Sequence, residues 1–90
     1  MNQPEYTLRI TIKDIEPKTD KNFNRYHLIH FDNSNYNHGY AFSNSTEKPT
    51  FDILTESPEK LVNRWVKIVY QINQTFNRSF CQVKSISLIE

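Results

Sequence analysis

The sequence predicts a small all-β domain with one short helix, and three features of the pattern support that class. Several stretches of strand length alternate between apolar and polar residues. A helix-start signal, Ser57 followed by Pro58, lies between two such stretches. The alternation slips by one residue in the first and last stretches, which indicates a twist or bulge in the first strand, a bulge in the last, and a curved, partly closed sheet. One domain is predicted over residues 1–90, with a loosely ordered start at 1–5.

The first two strands differ in how clearly their faces can be assigned. The first is predicted over residues 6–15, where the apolar face reaches Ile12 and the alternation breaks at Ile15. A polar loop over 16–24 leads to the second strand, 25–31. The buried face of this second strand stays open, because each alternate set contains two strongly apolar residues. The sets are Tyr26, Leu28 and His30, and His27, Ile29 and Phe31.

The middle of the chain is predicted to be mostly turns and loops. A turn region over 32–39 contains the only glycine and leads to a short third strand over 40–43. A loop over 44–50 follows, and 51–54 is either a strand extension or an irregular segment packed on the core.

The short helix is predicted over residues 57–63. Ser57 is a favoured capping residue, and Pro58 suits the first helical position because its missing N–H would be unpaired there. Glu59 complements the positive end of the helix dipole, and Asn63 is a suitable left-handed stop.

The last two strands form a predicted hairpin. The fourth strand covers residues 66–72, a polar turn covers 73–78, and the fifth strand covers 80–89. Its apolar alternation changes parity partway, so a bulge is expected near Lys84 or Ser85.

The composition excludes several classes of protein. The formal net charge is +1, which is not the strongly basic balance expected of a protein that binds duplex DNA through its phosphates. A single cysteine, Cys81, excludes an internal disulfide framework. The sequence has no apolar run of the length of a signal peptide or membrane span, so a soluble, cytoplasmic protein without a membrane partner is expected.

The order of the elements, three strands, a helix and two strands, resembles that of the oligonucleotide/oligosaccharide-binding (OB) fold. The resemblance covers residues 6–89 and includes the helix running into VKIVYQI and the closing strand FCQVKSISLI. It implies a five-stranded OB-like Greek-key β-barrel with the helix between strands 3 and 4. The competing folds are another small β-barrel and an α+β sandwich.

The resemblance also implies a function and a set of contacting residues. OB domains often bind single-stranded nucleic acid across strands two and three and the two flanking loops. Aromatic side chains stack on the bases, and Lys or Arg side chains contact the phosphates, with little sequence preference. DNA is the expected ligand, and the implied contacting residues are Lys18, Lys21, Phe23, Arg25, His27, Phe31, Tyr40, Phe76 and Arg78.

A structural role is an alternative for several of these residues. Phe23 and Phe76 are equally well explained as caps on the open ends of a barrel. Lys18 and Lys21, taken singly, are more often ordinary solvated charges. On the third strand, Phe42 is assigned to the core while Tyr40 stays open, and Trp65 is expected to pack at the helix-to-strand junction rather than face a partner.

The sequence lacks the signatures of an enzyme or a metal site. His27 and His30 are three residues apart on a predicted strand and therefore point to opposite faces. Cys81 is distant from them and has no second cysteine at ligand spacing. A single glycine cannot form a glycine-rich phosphate loop. We therefore expect neither catalysis nor a cofactor.

A second function from a different class stays open, a protein-interaction module that docks on a larger replication or mobile-element complex. The near-neutral charge favours it, and an exposed apolar strand face or edge strand would mediate it. An exposed patch containing Ile29, Phe31 or Trp65 would support this alternative. Nucleic acid would be supported if the cations cluster on one surface away from Asp20 and Glu16. Those cations are Lys18, Lys21, Arg25 and Arg78.

Overall fold

The computed structural model describes residues 4–32, 37–74 and 79–89, and these form five strands and one α-helix. The elements are β1 (Tyr6–Thr19), β2 (Arg25–Phe31), β3 (His38–Phe42), α1 (Lys48–Glu56), a 3₁₀ turn (Pro58–Lys60), β4 (Trp65–Gln74) and β5 (Ser79–Leu88). The predicted all-β class with one short helix between the third and fourth strands is confirmed.

The five strands form one closed sheet. They pair in the order β1-β2-β3-β5-β4, and β1 also pairs with β4, which closes the sheet into a barrel. β3 and β5 run parallel, with Tyr40 opposite Gln82, and the other pairs are antiparallel. The length of β1 makes the closure possible, because residues 6–11 pair with β4 and residues 12–19 pair with β2.

The predicted irregularity near the end of β1 is confirmed. Ile12 and Asp14 pair with consecutive residues of β2, so Lys13 is the extra residue of a β-bulge. The bulge shifts the alternation by one position, and as a result Ile12 and Ile15 are both buried.

The predicted bulge in β5 is also confirmed. Val83 and Ser85 pair with consecutive residues of β4, so Lys84 is the extra residue. The apolar parity of β5 changes at this point, and Val83 and Ile86 both reach the core.

The helix position predicted from the sequence is wrong. The helix occupies Lys48–Glu56, where a loop and then a strand extension or irregular segment were expected, and Pro58–Lys60 forms a 3₁₀ turn. Proline in the first turn suits the start of α1, as it does the start of the 3₁₀ turn. The predicted left-handed conformation of Asn63 is confirmed, with φ at 63°.

The helix α1 is fixed to β5 by two threonine hydroxyl groups. Thr46, just before the helix, donates a hydrogen bond of 2.7 Å to the Val83 carbonyl. The Thr50 hydroxyl accepts the backbone N–H of Ile86 at 3.1 Å. Leu54, one turn further on, is buried among the core residues, so the helix contributes one side chain to the barrel interior.

The core also settles which face of β2 is buried. His27, Ile29 and Phe31 point inward, while Tyr26, Leu28 and His30 are half-buried on the outside. The apolar core consists of Ile10, Ile12, Ile15, Ile29, Phe31, Ala41, Leu54, Leu61, Val66, Ile68, Tyr70, Cys81, Val83 and Ile86. Within the described ranges, no helix combines the length and apolar character needed to cross a membrane.

Candidate functional site

The outer side chains of β1, β2 and β3 form rows across the sheet, because directly paired residues of antiparallel strands share a face. The rows are Lys18, Tyr26 and Phe42; Glu16, Leu28 and Tyr40; and Asp14, His30 and His38. The intervening residues of β2 and β3 are buried or at a strand end, so these rows lie on the outer surface of the barrel.

Five rings of these strands and of β5 form a continuous surface, here called the aromatic face. Its members are Tyr26, His38, Tyr40, Phe42 and Phe80. Tyr26 and Phe42 stack with ring centroids 5.3 Å apart, and Tyr40 and Phe42 lie 6.0 Å apart at 25°. Phe80 stands at 88° to Tyr40 with centroids 5.6 Å apart. These separations are those that aromatic pairs favour, so the rings hold one another in place.

The aromatic face borders a shallow pocket of about 270 Å³, open to solvent. This volume is near the lower end of small-molecule sites, roughly 300 Å³. The lining residues are Asp20, Tyr26, His38, Tyr40, Phe42, Ser79 and Phe80. Tyr40 and Phe42 are stacked and nearly parallel, and Phe80 is steeply inclined to both, so rings in two orientations line the pocket.

Asp20 organises the tight loop between β1 and β2. Its Oδ1 accepts the backbone N–H of Asn22 at 2.8 Å and that of Asn24 at 2.9 Å. Its own carbonyl accepts the Phe23 N–H at 3.0 Å. The hydrogen bond from the Asn24 backbone is the main cause that holds the pKa of Asp20 below its usual value. Asp20 is therefore a carboxylate at neutral pH and lies at the edge of the aromatic pocket.

Phe23 lies in this loop in an unusual conformation. Its φ is 65°, in the left-handed region that costs a residue with a Cβ about 1–2 kcal/mol. Its surface is 87% exposed, so packing does not offset that cost. The interpretation of Phe23 as a cap on the barrel end does not agree with this exposure.

The three predicted cations within the described residues do not form one cluster. Lys18 lies beside Tyr26 on the outer face, but its Nζ is 3.6 Å from Glu16 Oε2. Lys21 is exposed in the loop after β1. Arg25 has the opposite parity to Tyr26, so it lies on the other side of the strand from the aromatic face.

His27 and Phe31 are corrected as contacting residues. They are 2% and 4% exposed and belong to the inner face of β2, so a ligand on the barrel surface cannot reach them. The His27 ring packs edge-on against Phe51 of α1, with centroids 4.7 Å apart. Phe76 and Arg78, the remaining two predicted residues, lie outside the described residues.

Sequence reasoning missed Tyr26 and Phe80 and assigned Phe42 to the core, whereas all three lie in the aromatic face. One local signal could have found Phe42. In β3, Tyr40 and Phe42 alternate with Gly39 and Ala41, and a narrow barrel interior accepts the small set more easily than the large one. The small residues are indeed buried, and the large rings are outside.

The outer face also carries a polar contact between neighbouring strands. His30 Nε2 and Glu16 Oε1 are hydrogen-bond partners, and this bond is the main cause that lowers the pKa of Glu16. In the described part of the chain, no group of three or more His, Cys, Asp or Glu side chains is arranged to hold a metal ion.

Comparisons with models of protein families, with curated proteins and with solved structures found no match.

Proposed function

We propose that this chain is a single-stranded nucleic-acid-binding module, with DNA as the expected ligand, built on an OB-like Greek-key barrel. The strand order β1-β2-β3-β5-β4, the closure through β1 and β4, and the helix between β3 and β4 support the OB-like assignment. On such a barrel, the outer face of β2 and β3 is the surface on which ligands are expected.

The observation that carries the proposal is the aromatic face on these two strands and β5. Each nucleobase has a flat π-face, and stacking on a protein ring contributes about 1–3 kcal/mol per base. Tyr40 and Phe42 supply two nearly parallel, stacked rings, and Phe23 is an exposed ring in the adjoining loop. Large rings on the outer side of neighbouring strands have no role in the core.

The charges near this face indicate binding with a small electrostatic contribution. The described cations near the aromatic face are Lys18 on β1 and Lys21 in the loop after it. Each has an acidic neighbour: Glu16 lies 3.6 Å from Lys18, and Asp20 directly precedes Lys21 in the chain. A ligand that places two phosphates against the two lysines would show a log–log salt slope of about −1.4 for a single strand. Stacking then supplies most of the affinity.

A protein-interaction module is the second candidate, and one observation favours it. Trp65 is 56% exposed on β4, and its carbonyl accepts the N–H of the exposed Ile89 at 3.2 Å. Ile29 and Phe31, the other residues considered for an apolar patch, are buried and do not contribute. Trp65 and Ile89 are thus two exposed apolar residues at hydrogen-bonded positions on the β4–β5 side of the barrel.

The test is a fluorescence-anisotropy titration of a labelled single-stranded oligonucleotide at low and moderate salt, with a duplex control. Tyr40→Leu keeps apolar volume on β3 but removes the flat ring, so we expect affinity to fall about 5–100-fold. Trp65→Ala removes an exposed ring from another part of the barrel and is the matched control, with unchanged affinity. Circular dichroism melting confirms that both variants are folded.

Two results would contradict the proposal. If the wild-type protein does not bind the single strand even at low salt, nucleic acid is not the ligand. If Trp65→Ala abolishes binding while Tyr40→Leu does not, the ligand contacts the β4–β5 side and the aromatic face has another role.

A further inference from the structure

Asp20 gives the aromatic pocket a hydrogen-bond acceptor. It is the one carboxylate among the described residues that line the pocket. Its Oδ1 is occupied by two backbone N–H groups of the loop. In the described part of the chain, Oδ2 accepts only a long bond of 3.4 Å from the Asn24 side-chain amide. Since each carboxylate oxygen can accept two hydrogen bonds, Oδ2 retains capacity for a donor on a ligand.

This carboxylate restricts what part of a nucleotide the pocket can accept. A phosphate group would be repelled by it, so the pocket suits a base rather than the backbone. Guanine, adenine and cytosine each carry an exocyclic amino group that donates hydrogen bonds. Thymine and uracil have no amino group, and their one ring N–H lies between two carbonyl oxygens that the carboxylate would repel.

We infer that the pocket binds one nucleobase with an exocyclic amino group and discriminates against thymine and uracil; this inference rests on the proposed function. The base lies against Tyr40 and Phe42 and donates its amino hydrogen to Asp20. Guanine binds best, because its ring N–H lies next to its amino group and both can donate to the same oxygen, Oδ2, in place of the long bond from Asn24.

The experiment uses a labelled oligothymidine in which one central base is replaced by guanine, cytosine, adenine or hypoxanthine. Hypoxanthine is guanine without the amino group, so this pair isolates the predicted contact. A hydrogen bond to a charged acceptor predicts that guanine binds about 10-fold or more tightly than hypoxanthine. The all-thymidine strand should bind most weakly.

Two variants separate base selection from general electrostatics. Asp20→Asn keeps an acceptor oxygen for the loop N–H groups but removes the charge, and its amide can donate to thymine. We expect it to reduce the guanine-to-hypoxanthine ratio to about threefold or less, with stronger binding to oligothymidine. Glu16→Gln removes one negative charge from the same outer face outside the pocket lining. We expect it to strengthen binding to every strand equally and leave the ratio unchanged.

The outcomes distinguish this inference from the proposed function. If all strands bind equally well to the wild-type protein, or if Glu16→Gln changes the ratio as much as Asp20→Asn does, the pocket does not select amino groups. Single-strand binding itself would still stand in both cases. If no oligonucleotide binds, the proposed function is wrong and the base selection falls with it.

Discussion

The β1–β4 ladder and the β2–β3 ladder belong to one sheet, but they differ in which types of residue face the core and which face the surface. The β1–β4 pairs run without interruption from Tyr6–Tyr70 to Thr11–Trp65, with an apolar interior and outer residues such as Arg9 and Lys67. The β2–β3 ladder buries a histidine and a glycine and exposes aromatic rings. The inward residues are His27, Ile29, Phe31, Gly39 and Ala41, and the outward rings are Tyr26, His38, Tyr40 and Phe42.

The β2–β3 side of the protein contains features that packing and backbone preferences normally disfavour. His27 Nδ1 is buried without a hydrogen-bond partner in the described part of the chain. Phe23, in the loop leading into β2, has a left-handed backbone. Such departures cost stability and are concentrated at functional sites in proteins. They coincide here with the strands of the aromatic face, whereas the described β1–β4 ladder contains neither a buried unpaired polar atom nor a left-handed residue.

The largest effect on stability is expected at Gly39, a residue of β3 that faces the core. An added Cβ would lie 3.0 Å from Phe31 Cζ and 3.2 Å from Val83 Cγ2. The core is closely packed, so Gly39→Ala should destabilise the protein by about 1–3 kcal/mol in urea unfolding. The control is Ser87→Thr, which adds a methyl group to an exposed position opposite Lys67 and should change stability by less than about 0.5 kcal/mol.

Equal stability of Gly39→Ala and the wild-type protein would show that β3 has room for a side chain. The close approach of β3 to the core would then not be the reason for a glycine at position 39, and the β2–β3 ladder would not differ from the β1–β4 ladder in this respect.

Much of the fold could be predicted because strand signals are local. The period-two alternation gave the observed limits of β2, and the parity changes located both bulges. The extension of β1 to Thr19 was missed because Pro17 normally signals a loop. The β4 partners of β1 end at Thr11, so in the described residues Pro17 lies on a stretch with one paired edge, where proline is tolerated.

The helix was missed because its apolar signal is weak. Only Thr50 and Leu54 of its nine residues are buried, and one of these is polar. Its position is fixed by hydrogen bonds to β5, which lies more than thirty residues further along the chain. Contacts of that range leave no local pattern in the sequence.

The sequence named some of the residues that the structure places in the candidate site. Tyr40 was named from strand order, and the structure places it in the aromatic face. Tyr26 was missed and His27 was wrongly included because both faces of β2 are equally apolar in the sequence. The choice between them depends on packing against Phe51 of α1 and on the small side chains of β3, neither of which can be read from β2 itself.

The second prediction concerns the buried histidine of the β2–β3 ladder. Burial, with a contribution from the Arg25 charge, lowers the pKa of His27 below the value of about 6.5 that it has when unfolded. The unfolded chain therefore binds more protons as the pH falls below about 6.5, and stability falls with it. One proton limits the slope to about 1.4 kcal/mol per pH unit.

The measurement is urea unfolding between about pH 7 and pH 5, above the range in which the carboxylates titrate. His27→Phe keeps a ring against Phe51 and removes the titrating group, so the fall in stability should become shallower. His38→Gln removes an exposed imidazole from β3 and should keep the wild-type fall. The same pH profile for His27→Phe and the wild-type protein would show that His27 is not the source.

The smallest effect compares two left-handed residues, Phe23 before β2 and Asn63 before β4. Phe23→Gly relieves a strain of about 1–2 kcal/mol, offset by the roughly 0.5–1 kcal/mol that glycine loses in chain entropy. We expect thermal stability to rise by about 0.5–1 kcal/mol, or a few degrees in Tm. Asn63→Gly should gain less, because asparagine already tolerates this conformation.

Measurements of single-strand binding distinguish Phe23 from Asn63 further. If Phe23 is held in a strained conformation in order to stack on a base, Phe23→Gly should weaken single-strand binding about fivefold or more while it stabilises the fold. Asn63→Gly should leave binding unchanged. Stabilisation without any loss of binding would mean that the exposed ring of Phe23 is not part of the interface. The strained backbone of Phe23 would then have no role in binding, and the interface would consist of the rings of the aromatic face alone.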